Sequence, residues 1–451
     1  MPAPKPEPLR DLSDLLEPFH AAEKPRYRWR VGTEAEKFGV LAEDGSPLPF
    51  DGPRSIHQVF AGLVEEHGWY ARPPEAEGGP VISLERGGAS ITLEPGGQVE
   101  LSGSAFETVH LTCAEFRGHM VELTSVSKEL GIAWLGVGFH PFARRDDMPL
   151  VPKLRYPIMR EYLPTRGSMA LDMMCRTTTV QANLDYDSET DAVRKLRVAL
   201  RITPVVTAMF ANSPYVERRA SGEVSHRAQV WLAVDPDRTG LLPFVWDDDM
   251  SYRRYVEWAL DVPMLFVKRG QSLVRNTGQT FRQFMRDGYQ GAEATKADWV
   301  THLNTVFPEV RLKNTLEVRG ADGQSTPLVC ALPALWKGLL YCDDTLTALE
   351  RATEHLSYED VLSCRVAVGR EGLSATLAGR PVREWAAELA ELAGGGLTRL
   401  SHLNRSGQDE TVHLAGLRAL VSAGRTPAEE LLAQIEPGED FVRQVIERAR
   451  V

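Results

Sequence analysis

An α+β fold built on a mainly antiparallel sheet is predicted, on three observations. Strand-like and helix-like stretches are interspersed over residues 27–210 without the regular alternation that builds a doubly wound parallel sheet. Three short runs at 81–85, 90–94 and 98–102, divided by Gly-rich turns, have the spacing of an antiparallel meander. From about residue 346 the chain becomes helix-forming.

In order along the chain, residues 1–20 read as an arm, Pro-rich and frayed to residue 10, followed by a short helix with Leu12, Leu15, Leu16 and Phe19 on one side. Residues 27–40 alternate as a strand. Tyr27, Trp29 and Val31 share one face, and Arg28, Arg30, Gly32, Glu34 and Glu36 share the other. Residues 55–67 carry Ile56, Val59, Phe60, Leu63 and Val64 at helical spacing, and Gly68 stops the helix. A helix over 106–130, strands over 132–139 and 176–185, and a helix over 189–210 follow. Residues 21–345 are taken as one sheet-and-helix domain, with 346–451 as a helical part packed on it. There, Trp385, Leu389 and Leu392 share a helix face, and Gly394, Gly395 and Gly396 are expected to end that helix as a linker. Thr426, Pro427 and Glu429 form the capping signature of the last helix.

The 451 residues are 43% hydrophobic and 25% charged, an ordinary balance for a chain with a large core. With 51 Lys and Arg against 62 Asp and Glu, the net charge of −11 lacks the basic surplus that attracts nucleic acid or an anionic membrane. No run reaches the ~18 apolar residues of a membrane span. The N-terminus has Pro and acid where a signal peptide needs an apolar run, so a cytoplasmic location is expected. Five Cys without a C-x-x-C pair argue against a disulfide scaffold or a Cys-rich zinc site, and they are expected to be buried as small hydrophobes. The chain has no P-loop, no H-E-x-x-H and no G-x-S-x-G.

The informative residues are carboxylates on strand faces. Glu34 and Glu36 project side by side, roughly 7 Å apart along a strand. In ISLERGGASITLEPGGQVELSG, Glu94 closes the polar face of one strand and Glu100 lies on that of the next. In KNTLEVRGAD, Thr315, Glu317 and Arg319 oppose Leu316 and Val318. A lone Glu-x-Glu is usually a solvated face, but three such strands together favour hard divalent cations, which take oxygen ligands and bridge to phosphates. Arg319 adds a planar donor suited to a phosphoryl group. Thr177, Thr179, Gln181 and Asn183 form a neutral polar face able to orient a ligand. Together these residues imply a metal–nucleotide site on a sheet.

GTEAEKFG, LEPGGQVELSG, RYPIMREYLP, DMMCRTTTVQANLD, DRTGLLPFVWDD, ALDVPMLFV, FPEVRLKNTLEVRGAD and ALPALWKGLLY resemble, in that order, the plant-type glutamate–cysteine ligases, a group with many bacterial members. The resemblance runs from Tyr27 to Tyr341 and continues more weakly beyond. It implies a glutamine synthetase-like catalytic sheet with helices on its outer face. It also implies ATP-dependent joining of L-glutamate to L-cysteine through γ-glutamyl phosphate, by a monomer or homodimer with no nucleic-acid or membrane partner. On this resemblance Glu34, Glu36, Glu94, Glu100 and Glu317 are the ligands of two or three Mg²⁺ (Mn²⁺ being an alternative). Gln181 and Asn183 face metal or phosphate, and Arg319 and Glu317 are catalytic. Arg160 and Arg227 are the candidates for the glutamate α-carboxylate, with Trp231 as a wall. Arg176 is left out, because strand parity puts it on the apolar face, and His140 is a weaker candidate. The Cys positions 113, 175, 330, 342 and 364 predict no redox switch. Another carboxylate–amine ligase, a guanidino kinase on the same scaffold and a non-enzymatic metal-binding homologue remain as alternatives.

Overall fold

The computed structural model describes residues 7–451 apart from 77, 271, 437 and 439, so residues 1–6 of the expected arm lie outside it. Residues 7–10 are not frayed: Pro8 bridges Thr295, and the Leu9 amide donates to the Ala294 carbonyl at 3.0 Å. The helix Leu12–His20 (α1) follows, capped by Asp11, with Leu15 and Phe19 buried.

Among the described residues, nine strands make the main sheet: β1 (Val31–Leu41), β2 (Tyr70–Ala71), β3 (Ser83–Arg86), β4 (Ala89–Leu93), β5 (Val99–Ser102), β6 (Ile132–Leu135), β7 (Thr179–Leu184), β8 (Val310–Leu312) and β9 (Leu316–Asp322). Their order is β8-β9-β7-β1-β5-β4-β3-β2, with β6 on the second half of β1. Every pairing is antiparallel. The β3–β4–β5 meander is the one expected, and the fold is α+β. β1 starts only at Val31, because Arg26–Arg28 is a 3₁₀ turn after Pro25 that leaves Tyr27 exposed. The predicted strand 176–185 starts at Thr179, since Arg176 ends the helix Ala170–Arg176 and Thr177 is its extended C-cap.

Register decides what shares a face. Glu34 pairs with Gln181 and Ser102, and Glu36 pairs with Glu100. Glu317 pairs with Asn183 on one side and Arg311 on the other. Successive side chains alternate, so these polar residues line one surface. Val31, Ala35, Leu101, Val180, Ala182 and Leu184 point away and are buried. The helices Val109–Lys128, Glu189–Met209 and Thr326–Leu340 pack against the sheet. One apolar cluster runs from Leu15 to Ala449, so the helices beyond residue 346 share the sheet's core.

Two expectations about helices need correction. The helix Val382–Leu400 continues through Gly394, Gly395 and Gly396 and ends at Ser401, in the left-handed conformation. The triplet is a packing surface. A Cβ on Gly396 would overlap the Gly338 carbonyl, and a Cβ on Gly338 would overlap the Ala393 carbonyl. The two helices cross at backbone contact, which only Gly allows there. The Thr426–Glu429 capping box forms as read, but it starts Pro427–Gln434, and Phe441–Ala449 follows it.

Candidate active site

A cavity of about 600 Å³ lies over the polar face of the sheet. Its wall includes Glu34 and Glu36 from β1, Glu94 at the end of β4, and Glu100 from β5. Thr179 and Gln181 from β7, Arg311 from β8 and Arg319 from β9 also line it. The Glu94 end depends on a tight turn. Gly97 has φ +81°, and a Cβ on Gly96 would overlap the Cys175 carbonyl, so Pro95-Gly96-Gly97 can lie against the end of the 170–176 helix only with glycines.

The carboxylates are held by neutral donors. Asn183 Nδ2 donates to Glu34 Oε1 at 2.8 Å, and the Thr179 amide donates to Glu36 Oε2 at 3.0 Å. Thr92 and Ser102 hydroxyls donate to Glu100 at 3.0 and 3.2 Å. Tyr156 donates to the Leu93 carbonyl at 2.8 Å and reaches Glu94 Oε2 at 3.5 Å. Burial, then the charges of Glu317 and Glu100, push the Glu34 carboxyl up to about 7. Burial, then Glu100 and Glu94, push Glu36 well above the usual range. Glu100 rises through burial and Glu94. Desolvated like charges resist joint ionisation. Such a cluster of buried oxygens, held by neutral donors, has the donor chemistry of a hard divalent cation site.

Glu317 differs. Arg311 Nη2 reaches both its oxygens at 2.8 Å, Lys313 Nζ lies at 2.5 Å, and Arg319 also pairs with it. Burial works to raise this carboxyl, but Arg311, Lys313 and Arg319 hold it well below the carboxylate range. It is fully buried and its charge is already compensated, so a cation would reach it only by displacing Lys313 or Arg319. This sets Glu317 apart from the other four carboxylates expected to hold metal.

Gln181 Oε1 accepts from Arg319 Nη1 at 2.7 Å, fixing that guanidinium toward the cavity. Asn183 lies beside the cavity and positions Glu34. Arg227, on the helix His226–Trp231, donates to the carbonyls of Arg319 and Gly320 at 3.0 and 3.3 Å. Its cation lies 5.7 Å from the Trp231 ring, both residues line the cavity, and its buried Nε has no partner. Behind it, Asp322 accepts from Ser213 and Ser225 hydroxyls at 2.7 and 2.9 Å and lies 4.0 Å from Arg227.

Arg160 is not on the cavity wall. On its helix, Arg155–Tyr162, the wall is formed by Arg155, Tyr156 and Met159, with Leu154 just before it. Arg160 follows Tyr156 by four residues yet does not reach the wall, whereas Arg155 comes within 3.9 Å of Glu94. Arg176 ends a helix and pairs with Asp172 and Glu217, so the strand parity used to leave it out does not apply. His140 is buried away from the cavity and accepts the Ala143 amide at 3.0 Å. Burial, then Arg176, push it down to about 3. Sequence reasoning missed Arg155, Arg311 and Lys313. Arg311 was findable, because antiparallel pairing across the turn at 313–315 puts it opposite Glu317.

The sequence profile described as "Glutamate-cysteine ligase family 2 (GCS2)" matches residues 30–448. The chain is 44% identical over 429 residues to a chloroplastic glutamate–cysteine ligase B of Oryza sativa, covering 94% of this chain and 84% of that one. It is 43% identical to the chloroplastic glutamate–cysteine ligase of Arabidopsis thaliana, with 94% and 80% covered. A solved glutamate–cysteine ligase of Francisella tularensis, in complex with AMP, shares the fold with TM-score 0.57 at 13% identity, over 93% of this chain and 87% of that one. A bifunctional glutathione synthetase of Pasteurella multocida gives 0.54 at 14% identity, over 97% of this chain and 53% of that one. The cytoplasmic location expected from the N-terminus is overturned by relatives whose names place them in the chloroplast. No helix among the described residues is long and apolar enough to cross a membrane. The matched profile over nearly the whole chain, with relatives above 40% identity, establishes that the chain belongs to glutamate–cysteine ligase family 2.

Proposed function

We propose that this chain joins the γ-carboxylate of L-glutamate to the amine of L-cysteine, driven by ATP, the first step of glutathione synthesis. The observation that carries the reading is one cavity whose wall brings four carboxylates, Glu34, Glu36, Glu94 and Glu100, together with Arg155, Arg227 and Arg319. Such a cavity meets the central difficulty of the reaction, which is to bring a polyanionic nucleotide and a carboxylate substrate together.

Glu34, Glu36, Glu94 and Glu100 would hold Mg²⁺, or Mn²⁺, and Glu317 would join them only by exchanging one of its cations. The metal would neutralise phosphate charge and polarise the transferring group. Arg319, aimed by Gln181 and Glu317, donates to the γ-phosphoryl oxygens as charge shifts onto them. A γ-carboxylate oxygen of glutamate attacks the γ-phosphorus and ADP leaves, giving the acyl phosphate. The cysteine amine then attacks the acyl carbon, the C–O bond breaks, phosphate leaves and the nitrogen loses a proton. Arg227, on Trp231 and held by Asp322, has an unpartnered Nε for the glutamate α-carboxylate. Leu265, Phe266, Leu273 and Phe307 give the same cavity an apolar side for the nucleotide base.

The test is phosphate release from ATP with Mg²⁺ and glutamate over a panel of amines. Release that depends on cysteine, with γ-glutamylcysteine as product, is expected. Preference for another amine would leave the phosphoryl chemistry standing and replace the acceptor. Release indifferent to glutamate would overturn the proposal.

A further inference from the structure

Away from the cavity, three distant stretches of chain bring soft ligands together. Cys113 and His110 lie three residues apart on the helix Val109–Lys128, Cys330 lies on Thr326–Leu340, and His413 lies in the 3₁₀ turn Glu410–Leu414. One ligand atom from each of Cys113, Cys330 and His413 falls within 4.8 Å of the other two. Cys113 Sγ is 3.5 Å from His413 Nδ1, and His413 Nε2 is 2.9 Å from His110 Nδ1. Both cysteines are buried and neither is in a disulfide. His110 Nε2 is buried without a partner.

We propose that Cys113, Cys330 and His413, with His110 behind His413, form a binding site for a thiophilic divalent cation of the zinc type. The geometry suits one. A tetrahedral shell with bonds of about 2.3 Å has edges of about 3.8 Å, so small side-chain rotations close the present spacing. Two thiolates and a neutral imidazole cancel a double positive charge, which removes the main cost of burying the ion. A ligating imidazole needs its other nitrogen held, and His110 is in place to do that. Sulfur donors reject the hard cations that the carboxylate cavity accepts, so the two sites do not compete. Three protein ligands leave one position for water.

The site would act as a clip. It joins the 410–414 segment to two helices under the sheet, beside Glu410, which accepts the Val109 amide at 2.5 Å and pairs with Lys337 at 2.8 Å. The absence of a C-x-x-C pair did not reveal it, because its ligands lie 217 and 83 residues apart along the chain (113 to 330, 330 to 413).

The test is Co²⁺ titration of the reduced full chain with Mg²⁺ in excess to fill the carboxylate cavity. Expected are one equivalent bound with thiolate-to-cobalt charge-transfer absorption, displacement by Zn²⁺, and protection of two thiols from a thiol reagent by Zn²⁺. Cys113→Ser and Cys330→Ser should each remove the absorption, and His110→Ala should weaken binding about tenfold or more. Wild-type protein without that absorption overturns the proposal, as does absorption that survives in Cys330→Ser. Oxidation of the pair to a disulfide at the same rate with and without Zn²⁺ also overturns it. If a serine variant does not fold, the wild-type titration and thiol protection decide.

Discussion

Glu36 shows how a residue can be costly to the empty fold and useful to the site. It pairs with Glu100 across the strands, and burial with the charges of Glu100 and Glu94 holds its carboxyl well above the usual range. Glu36→Gln removes that repulsion and, on the proposed function, also a cation ligand. It should lower kcat by on the order of 100-fold or more, and leave the melting temperature of the metal-free protein unchanged or higher. A melting loss of several degrees with normal turnover would place Glu36 in folding rather than in the site. Glu34 gives the pH dependence. Its folded pKa, about 7, lies above the ordinary value of 4.5. The folded state therefore holds the extra proton, and the resulting stability is complete below 4.5 and lost as pH rises through 7. Without metal, the melting temperature should fall from pH 5 to pH 8, and Mg²⁺ should raise it more at pH 8 than at pH 5. For Arg227→Met, glutamate KM should rise roughly 10- to 100-fold, more than kcat falls. An effect on kcat alone would move Arg227 away from substrate. At this scale the acidic face was legible because alternation marks which Glu residues share a side. Its cationic partners were less so. Arg155 rather than Arg160 lines the cavity, and Glu317 is occupied because register brings Arg311 opposite it.

Among the elements, the helix at 55–67 is read from period and punctuation together and matches the structure. Ile56–His67 runs from Ser55 to Gly68, with Val59, Phe60 and Leu63 buried, because apolar spacing, cap and left-handed glycine agree. The element misread from punctuation is Val382–Leu400. Three consecutive glycines signal a break in isolation, but the contact with Gly338 is a tertiary fact with no local signature. The distinction can be measured. Gly396→Ala should destabilise by about 1–3 kcal/mol through backbone overlap. Gly395→Ala meets only the flexible end of Arg399, at 3.1 Å, and should be neutral or stabilise by up to about 1 kcal/mol from helix propensity. Urea midpoints for the two variants check this. Equal effects would mean the crossing is not at backbone contact.

At the scale of the whole molecule, an antiparallel sheet carries its apolar face onto helices and its acidic face into one cavity. Distant strands converge because β1 pairs with β5 on one side and β7 on the other, so residues 34, 100 and 181 become neighbours. On the proposed function that convergence serves phosphoryl transfer onto a carboxylate, and the fate of a single oxygen atom tests it. With the γ-carboxylate of glutamate labelled with oxygen-18, ATP, Mg²⁺ and cysteine, the released phosphate should carry one labelled oxygen. Unlabelled phosphate formed alongside γ-glutamylcysteine would contradict an acyl phosphate, and with it the account of this cavity.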